Sequence, residues 1–386
     1  MEASLNIESA TYHLERYPHT NDKNLKAWSN AELLALDYYM AHPSNTIHLF
    51  NDRFGIWNCT LHSSNPITIW THASQKKAIS LNLKRNNLPT ANTILKTPLA
   101  SLNKVETALI KVPKSLELFE LFLQQIHSAS NENTTVVCCF MTKYFTPSLL
   151  KIAEFYFNDI QQTKAWKKAR LLLLKKPKSN LKSNPSINTI PWKNKELKQY
   201  YGVFSSGKID IGTQFLLENL ALRPLELKIA DLASGNGVIA HEIIQKKPTA
   251  KVTLIDDFNL AIASSQLNIK NKNTIFLCEE NLDNLSHKNF DLVVSNPPFH
   301  FEYENNIEIT LNLFKGVFNC LSSKGRFVLV ANLHLNYKTH LDKLFTTVNS
   351  ICSNKSLSFM NAINKKITPK RNRMKIHLLL VSPYNS

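Results

Sequence analysis

The sequence predicts an α/β chain with a doubly wound, mostly parallel sheet in its second half and a faded copy of the same plan in its first. Three observations predict it. From Lys228 onward, short apolar runs alternate with helical periodicity, the pattern of a parallel sheet covered on both faces. One of those runs, Lys228–Leu232, enters a turn carrying Gly235 and Gly237 and then a helical pattern. That is the Rossmann-like strand–turn–helix, in which a nucleotide-like ligand approaches bare backbone. The landmarks also recur at nearly equal spacing, Gly55 to Pro113 and Gly237 to Pro298, as an internal duplication would leave them.

In the first half, Ile47–Phe50 reads as a strand entering the turn that ends at Gly55, and Ile67–Thr71 as a strand that ends without a carboxylate. Ala108–Lys111 reads as a strand stopped by Pro113, with Lys111 and Val112 standing where Asn296 and Pro297 stand later. Residues 1–176 are therefore expected to be a degenerate, non-catalytic copy, with Arg170–Leu174 as an edge strand. A basic linker, 177–190, follows, with Pro177 and Pro185 in it. The catalytic domain, 191–386, begins with the strand Lys228–Leu232, helix Val238–Lys246, strand Val252–Ile255, helix Leu260–Asn271 and strand Ile275–Cys278. It continues with strand Phe290–Ser295, helix Glu308–Leu321, strand Arg326–Ala331, helix Lys338–Val348 and a closing pair of strands, the last at Ile376–Val381.

The run Phe290–Ser295 ends in Asn296-Pro297-Pro298-Phe299. A proline nitrogen carries no proton, so the carbonyl before it has no neighbouring donor to compete with. The asparagine oxygen, a proline carbonyl and the Phe299 ring fit an exocyclic amino group on a flat base. Standing alone, the four residues would read first as a proline-capped strand end entering a loop. Asp256, at the end of the next strand after the glycine turn, suits both hydroxyls of a ribose; Asp256 or Asp257 also suits the N-cap of the helix near Asn259. Ligands in such sheets lie beyond the carboxyl ends of the strands. Gly235, Asp256, Glu280, Asn281 and Asn296 all fall at such ends.

A net charge of +17 and a pI near 9.5 fit a polyanionic partner better than a small neutral substrate. One stretch without acidic residues carries Lys164, Lys167, Lys168 and Arg170 around Trp166. Cations interleaved with an aromatic suit phosphate contacts and base stacking, and lysines in a linker also suit plain solvation. A second cluster, Lys370, Arg371 and Arg373, precedes the last expected strand. No segment has the length of a spanning helix, and the start lacks the order of a signal peptide. A cytoplasmic protein with no membrane partner is expected. The six scattered cysteines read as free buried thiols. No histidine spacing reads as a metal site, so no metal is expected.

Glycine turn, Asp256 and Asn-Pro-Pro-aromatic signature, in that order, resemble the S-adenosylmethionine-dependent amino-methyltransferases. Phe204-Ser205, Asp210-Ile211-Gly212, Leu216-Leu217 and Asn296–His300 resemble the ribosomal RNA guanine-N2 methyltransferases of the methyltransferase small-domain family. Leu14–Pro18, Leu25, Ala27-Trp28 and Ala165–Arg170 are nearer to the large-subunit members of that group. The resemblance implies two Rossmann-like methyltransferase domains in tandem, the first inactive. It implies S-adenosylmethionine as cofactor and 23S ribosomal RNA as partner, with a monomer expected. Phe204, Asp231, Ala233, Gly235, Asn236, Gly237, Asp256, Glu280, Asn281 and Asn296 would surround the cofactor, and Asn296, Pro297, Pro298 and Phe299 would hold the guanine. His300 suits either a contact to that base or a loop opening. One departure stands out: Ala233-Ser234 replace a Gly-Cys pair. If Ala233 keeps a negative φ the change is mild; a positive φ would cost on the order of 1 kcal/mol. Adenine N6, a glutamine amide, or RNA binding without catalysis are the competing readings.

Overall fold

The structure is a computed structural model. It describes the chain outside residues 1–3, 21, 23, 92, 182–183, 286, 288, 298–306, 355 and 364–386, and outside the side chains of 307–309.

Each half of the chain builds one seven-stranded sheet. The first holds β1 (Ile47–Phe50), β2 (Ile67–Ile69), β3 (Ile94–Lys96), β4 (Val105–Lys111), β5 (Ser130–Met141), β6 (Phe157–Gln162) and β7 (Ala169–Pro177). The second holds β8 (Lys228–Leu232), β9 (Lys251–Asp256), β10 (Thr274–Cys278), β11 (Phe290–Ser295), β12 (Leu321–Asn332), β13 (Thr347–Ser353) and β14 (Leu357–Ile363). Their orders, β3-β2-β1-β4-β5-β7-β6 and β10-β9-β8-β11-β12-β14-β13, are the same permutation. In both, the first five strands are parallel and the last two antiparallel. Even an irregularity recurs, for register slips between Val105 and Thr107 against β5 and between Phe290 and Leu292 against β12.

The helices repeat as well. Helices α1 (Asn30–Ala41), α2 (Ile56–Thr60), α3 (Ala73–Arg85), α4 (Leu116–His127) and α5 (Pro147–Tyr156) serve the first sheet. Helices α6 (Ile211–Asn219), α7 (Val238–Lys246), α8 (Asn259–Asn268), α9 (Ile307–Cys320) and α10 (Tyr337–Leu341) take the same places in the second. Helix α4 shows why these residues form such elements. Ser115 caps it by accepting from the Leu118 N–H at 3.2 Å, and Leu118, Phe119, Phe122 and Ile126 fall on one face and are buried. The tandem α/β plan expected from the sequence is therefore the observed one, and the two sheets share one strand order.

Three expectations need correction. The strand at Arg170–Leu174 is longer, β7, and lies between β5 and β6 instead of at the edge. Its four leucines, Leu171–Leu174, are all buried, as a strand covered on both faces requires. The helix expected over 338–348 stops at Leu341, and Thr347–Ser353 is strand β13, where Thr347, Val348 and Ile351 bring β-branched side chains. Of the linker expected at 177–190, Pro177 closes β7, and residues 187–190 already pair in an antiparallel hairpin, Ile187–Trp192 with Lys195–Tyr200. The strand expected at 376–381 lies outside the described residues. All six cysteines are free, and four are buried.

The two domains share packing. Val203, Leu260 and Ala261 of the second join the apolar cluster of Phe119 and Phe122 in the first. Gly202 lies so close to α4 that a Cβ there would stand 2.8 Å from the Leu118 Cβ, and its φ is +88°. The carboxyl ends of the sheets meet where the His72 ring stacks on Phe258, with centroids 4.8 Å apart. There the second domain caps a helix of the first. The Asp257 carbonyl accepts from the Ala73 N–H at 2.8 Å, and its carboxylate accepts from the Ser74 N–H at 2.7 Å and the Ser74 hydroxyl at 2.5 Å. The opening N–H groups of α3 have no partner in their own helix; the other domain supplies one. Among the described residues no helix is long and apolar enough to cross a membrane.

Candidate active site

The turn from Ala233 to Gly237 joins β8 to α7 at the carboxyl edge of the second sheet. Three of its five residues have positive φ: Ala233 at +57°, Gly235 at +54° and Gly237 at +81°. The turn's own hydrogen bonds hold it so. Ser234 N–H donates to the Ile255 carbonyl at 3.2 Å and Gly237 N–H to the Ser234 carbonyl at 2.8 Å. The two glycines do different work. A Cβ on Gly237 would stand 2.9 Å from Ser265 Oγ, so this glycine lets α7 and α8 approach. A Cβ on Gly235 would meet nothing within 4 Å. Gly235 opens onto space, as a cradle for a ligand must, whereas Ala233 takes the left-handed backbone with a side chain attached. The costlier branch of the sequence expectation is the one observed.

Asn296 follows directly on β11. Its Nδ2 donates to Asp210 Oδ2 and to Thr213 Oγ1, each at 2.9 Å. A carboxylate only accepts, so the amide's orientation is fixed by chemistry. The nitrogen faces α6, and Oδ1 is left as an acceptor on the other side. Asp210 is itself the N-cap of α6, accepting from the Thr213 N–H at 3.2 Å. Gly212 makes room for this arrangement: a Cβ there would stand 2.9 Å from Asp210 Oδ2 and 3.4 Å from the Asn296 amide. Asp210, Gly212 and Thr213 carried no individual role in the sequence reading. The Asp-x-Gly-Thr start of a helix was the visible signal, and an N-cap was the only role it could suggest.

Asp256 ends β9 and faces the turn. Its Oδ2 accepts from the Gly235 N–H at 2.9 Å and its Oδ1 from the Phe258 N–H at 2.9 Å. It thus holds the turn and the start of α8 together, while Asp257 caps α3 of the other domain. Burial pushes the Asp256 pKa up to about 6, against the two N–H bonds that lower it, with Asp257 adding to the rise. Glu280 and Asn281 follow β10, and Glu279 N–H donates to the Asp256 carbonyl at 3.1 Å, so they lie beside Asp256. Asn236 is buried, donating from Nδ2 to Gln199 Oε1 at 2.9 Å; Gln199 Nε2 donates in turn to the Phe204 carbonyl at 3.2 Å. The Phe204 ring stands out on the surface at 71% exposure. Asp231 is fully buried and accepts from the Ala240 N–H at 2.9 Å, so its carboxylate ties β8 to α7 beneath the turn. Burial raises its pKa well above the carboxylate range. Pro297 is buried at the edge; Pro298, Phe299 and His300 lie outside the described residues.

The first domain keeps this geometry with other side chains. Asn51 has φ +57° and Gly55 +81°, matching Ala233 and Gly237. Arg53 stands where Gly235 does, buried, with Nη2 donating to Ser74 Oγ at 3.2 Å. In place of the Asn296–Thr213 contact, Lys111 Nζ lies 3.1 Å from Glu32 of α1. Cradle and acceptor are both gone.

The basic stretch forms the tip of the β6–β7 hairpin. Trp166 and Ala169 exchange both backbone hydrogen bonds, at 2.9 and 2.8 Å, around Lys167 and Lys168. These lysines have φ of +45° and +63°, the left-handed pair of a type I′ turn that asparagine and glycine favour. Both are exposed, as is Lys164; Trp166 and Arg170 are half-buried. The Lys167 ammonium lies 4.6 Å from the Trp166 ring centre. Because Ala169 pairs with Met141 at the end of β5, the tip lies on the carboxyl edge of its sheet. That edge is the one which meets the second domain. Lys370, Arg371 and Arg373 lie outside the described residues.

Among the described residues no three His, Cys, Asp or Glu side chains gather as a metal site. For S-adenosylmethionine the fit is good: an open glycine cradle, a carboxylate beside it and an oriented acceptor beyond. Two outcomes follow. Since the turn holds Ala233 in place by itself, its penalty falls on folding. Ala233→Gly should raise stability to urea by about 1 kcal/mol while the cofactor dissociation constant, by calorimetry, changes less than about twofold. Asp256 titrates near 6 when folded and 3.8 ordinarily. Its contribution to folding stability is thus full below about pH 4 and lost as pH rises through 6. Binding of a ribose through the carboxylate would run the other way. Calorimetry should find cofactor affinity about tenfold lower at pH 5 than at pH 7, with proton release near pH 6.

Comparison with known proteins agrees with this division. Residues 2–179 match the RLMG N-terminal domain and residues 194–360 the methyltransferase small domain. The chain is 29% identical over 383 residues to ribosomal RNA large subunit methyltransferase G of Psychromonas ingrahamii, covering 94% of this chain and 99% of that one. A solved structure of the T. thermophilus 16S rRNA N2 G1207 methyltransferase, in complex with AdoMet and guanosine, is similar in fold over 94% of this chain and 98% of its own. Its TM-score is 0.73 at 17% identity. The two matches together span most of the chain, which is a methyltransferase that joins an RLMG N-terminal domain to a methyltransferase small domain.

Proposed function

We propose that the protein transfers a methyl group from S-adenosylmethionine to the exocyclic N2 of a guanine in 23S ribosomal RNA. The observation that carries this reading is the Asn296 amide, held by Asp210 and Thr213 so that Oδ1 is presented as an acceptor. A guanine N2 is conjugated with its ring and is a poor nucleophile. When Asn296 Oδ1 and the Pro297 carbonyl accept its two hydrogens, the nitrogen lone pair turns out of conjugation and stands free to attack. Phe299 would stack on the base. The cofactor supplies an electrophilic methyl group on a sulfonium. Asp256 would hold its ribose, Glu280 and Asn281 its adenine, and the Ala233–Gly237 turn would pass beneath its methionine part. A helical target must first be unstacked, at about a few kcal/mol, so an unpaired guanine is favoured.

An acceptor pair alone suits adenine N6 or an amide equally well. Guanine is favoured by the names of the relatives, which are large- and small-subunit ribosomal RNA methyltransferases, and by the charged hairpin of the first domain. Left-handed lysines are strained, and strain of this kind is retained where function needs the side chain. We read Lys167 and Lys168 as phosphate contacts, with Lys164, Arg170 and Trp166 beside them and Lys370, Arg371 and Arg373 as a further basic segment. We place the protein in the cytoplasm as a monomer.

Incubation with tritiated cofactor and 23S RNA, then digestion to nucleosides, should put label in N2-methylguanosine; label in N6-methyladenosine would move the reading to the adenine class. Asn296→Ala should lower transfer at least about a hundredfold with cofactor affinity nearly unchanged, and equal loss of both would make Asn296 a support of the pocket. The double variant Lys167→Asn, Lys168→Gly suits the turn better, so stability should rise. RNA affinity should nonetheless fall, and the slope of log affinity against log salt should drop by about 1 to 2. An unchanged slope in filter binding would remove the hairpin from the interface.

A further inference from the structure

The segment Leu14–Tyr17 belongs to the first domain and is firmly anchored there. Leu14 is buried. Glu15 exchanges backbone bonds with the Asn82 side chain, 3.0 Å from its N–H and 2.8 Å to its carbonyl, and pairs with Arg85 at 2.5 Å. Both partners are on α3, whose other end is capped by Asp257 of the second domain. The Arg16 guanidinium lies 4.6 Å from the ring centre of Phe54, in the turn that has lost its glycine cradle.

From this anchor Tyr17 reaches out of its domain. Its hydroxyl donates to Glu280 Oε1 at 3.3 Å. The Asn281 side chain stands beside this pair, its Nδ2 3.5 Å from the same Glu280 oxygen. The two residues assigned to the adenine end of the site are thus met by one residue of the other domain. Burial and the neighbouring Glu280 push the Tyr17 pKa up to about 12, so the phenol remains a neutral donor wherever the protein works. A carboxylate held through one oxygen cannot swing freely. Its remaining acceptor capacity is offered in one direction, which is what recognition of an exocyclic amino group needs.

We infer that Tyr17, from the domain without chemistry, is a positioning residue for the cofactor's adenine, fixing Glu280 so that it accepts from the 6-amino group. The inference rests on the reading of Glu280 as the adenine contact. It goes beyond that reading because it makes the cofactor site a product of both domains.

The test uses the full chain and two ligands, S-adenosylhomocysteine and S-inosylhomocysteine, whose base has a carbonyl oxygen in place of the 6-amino group. The unaltered protein should prefer the adenine ligand in calorimetry. Tyr17→Phe should weaken the adenine ligand by about five- to tenfold and the inosine ligand much less, with the KM for RNA unchanged. Glu280→Gln should do the same, and the double variant should lose little more than either single one, since the two act as a unit. Equal weakening of both ligands would reduce Tyr17 to domain packing, and additive losses would uncouple it from Glu280; either result overturns the proposal. An unaltered protein that binds neither ligand would instead sink the cofactor reading itself, and the proposal with it.

Discussion

The proposed reaction depends on which way one side-chain amide points. Asn296 could present either its oxygen or its nitrogen to a substrate, and only the oxygen can accept from an amino group. The choice is made by Asp210, a carboxylate at the N-cap of α6, which takes the Asn296 nitrogen and the Thr213 N–H together. An N-cap carboxylate is favoured where it stands by the unpaired N–H groups of the helix. The orientation of the acceptor is therefore tied to the start of a helix instead of to the loop that carries the signature. Gly212 is the third part of the device, since a side chain there would press on both partners.

The first domain shows what remains when this constraint is lifted. Its sheet has the same order, its turn two of the three left-handed positions, and its fourth strand the same slip. What matters for the site changed at the carboxyl edge. Arg53 stands where a bare glycine opens the live site, and a Lys111–Glu32 ion pair replaces the contact that orients Asn296. Both replacements are polar and held by neighbours, so the fold persists without the chemistry. The left-handed position at Asn51 is held by a residue that tolerates it, whereas the live copy carries alanine at Ala233. On this one point of backbone the inactive copy is the better suited.

Periodicity and turn residues reveal local structure, and that is where the sequence was most legible. Strands, helices, the glycine turn, the duplication and the placing of Gly235, Asp256, Glu280 and Asn296 at strand ends could all be read from neighbours in the chain. Misreadings came where distance in sequence decided the outcome. Arg170–Leu174 was expected at an edge, while its four buried leucines belong to a strand with partners on both sides. Asp256 or Asp257 suited the cap of the helix next to them, because cap assignment by sequence looks a few residues ahead; Asp257 instead caps a helix that begins at Ala73, in the other domain. The link from Asp210 to Asn296 joins segments 86 residues apart, and no local pattern records it.

The adjacent pair Asp256 and Asp257 makes the domain interface more than a tether. One carboxylate holds the ligand turn through Gly235; the next holds α3 through Ser74. Two consecutive residues on one strand end cannot move independently by much, because the backbone between them has only a few soft dihedrals. A shift of α3 relative to the second sheet would act on Asp257 first and reach Asp256 through a single peptide unit. Ser74 also meets Arg53, so the side chain standing in the lost cradle abuts the contact that steadies the working one. The charged hairpin is on the same domain as α3. A displacement of that domain would therefore bear on the Ala233–Gly237 turn through packed elements and hydrogen bonds. The first domain, built on the same plan as the second, thus braces the strand end from which Asp256 holds the turn.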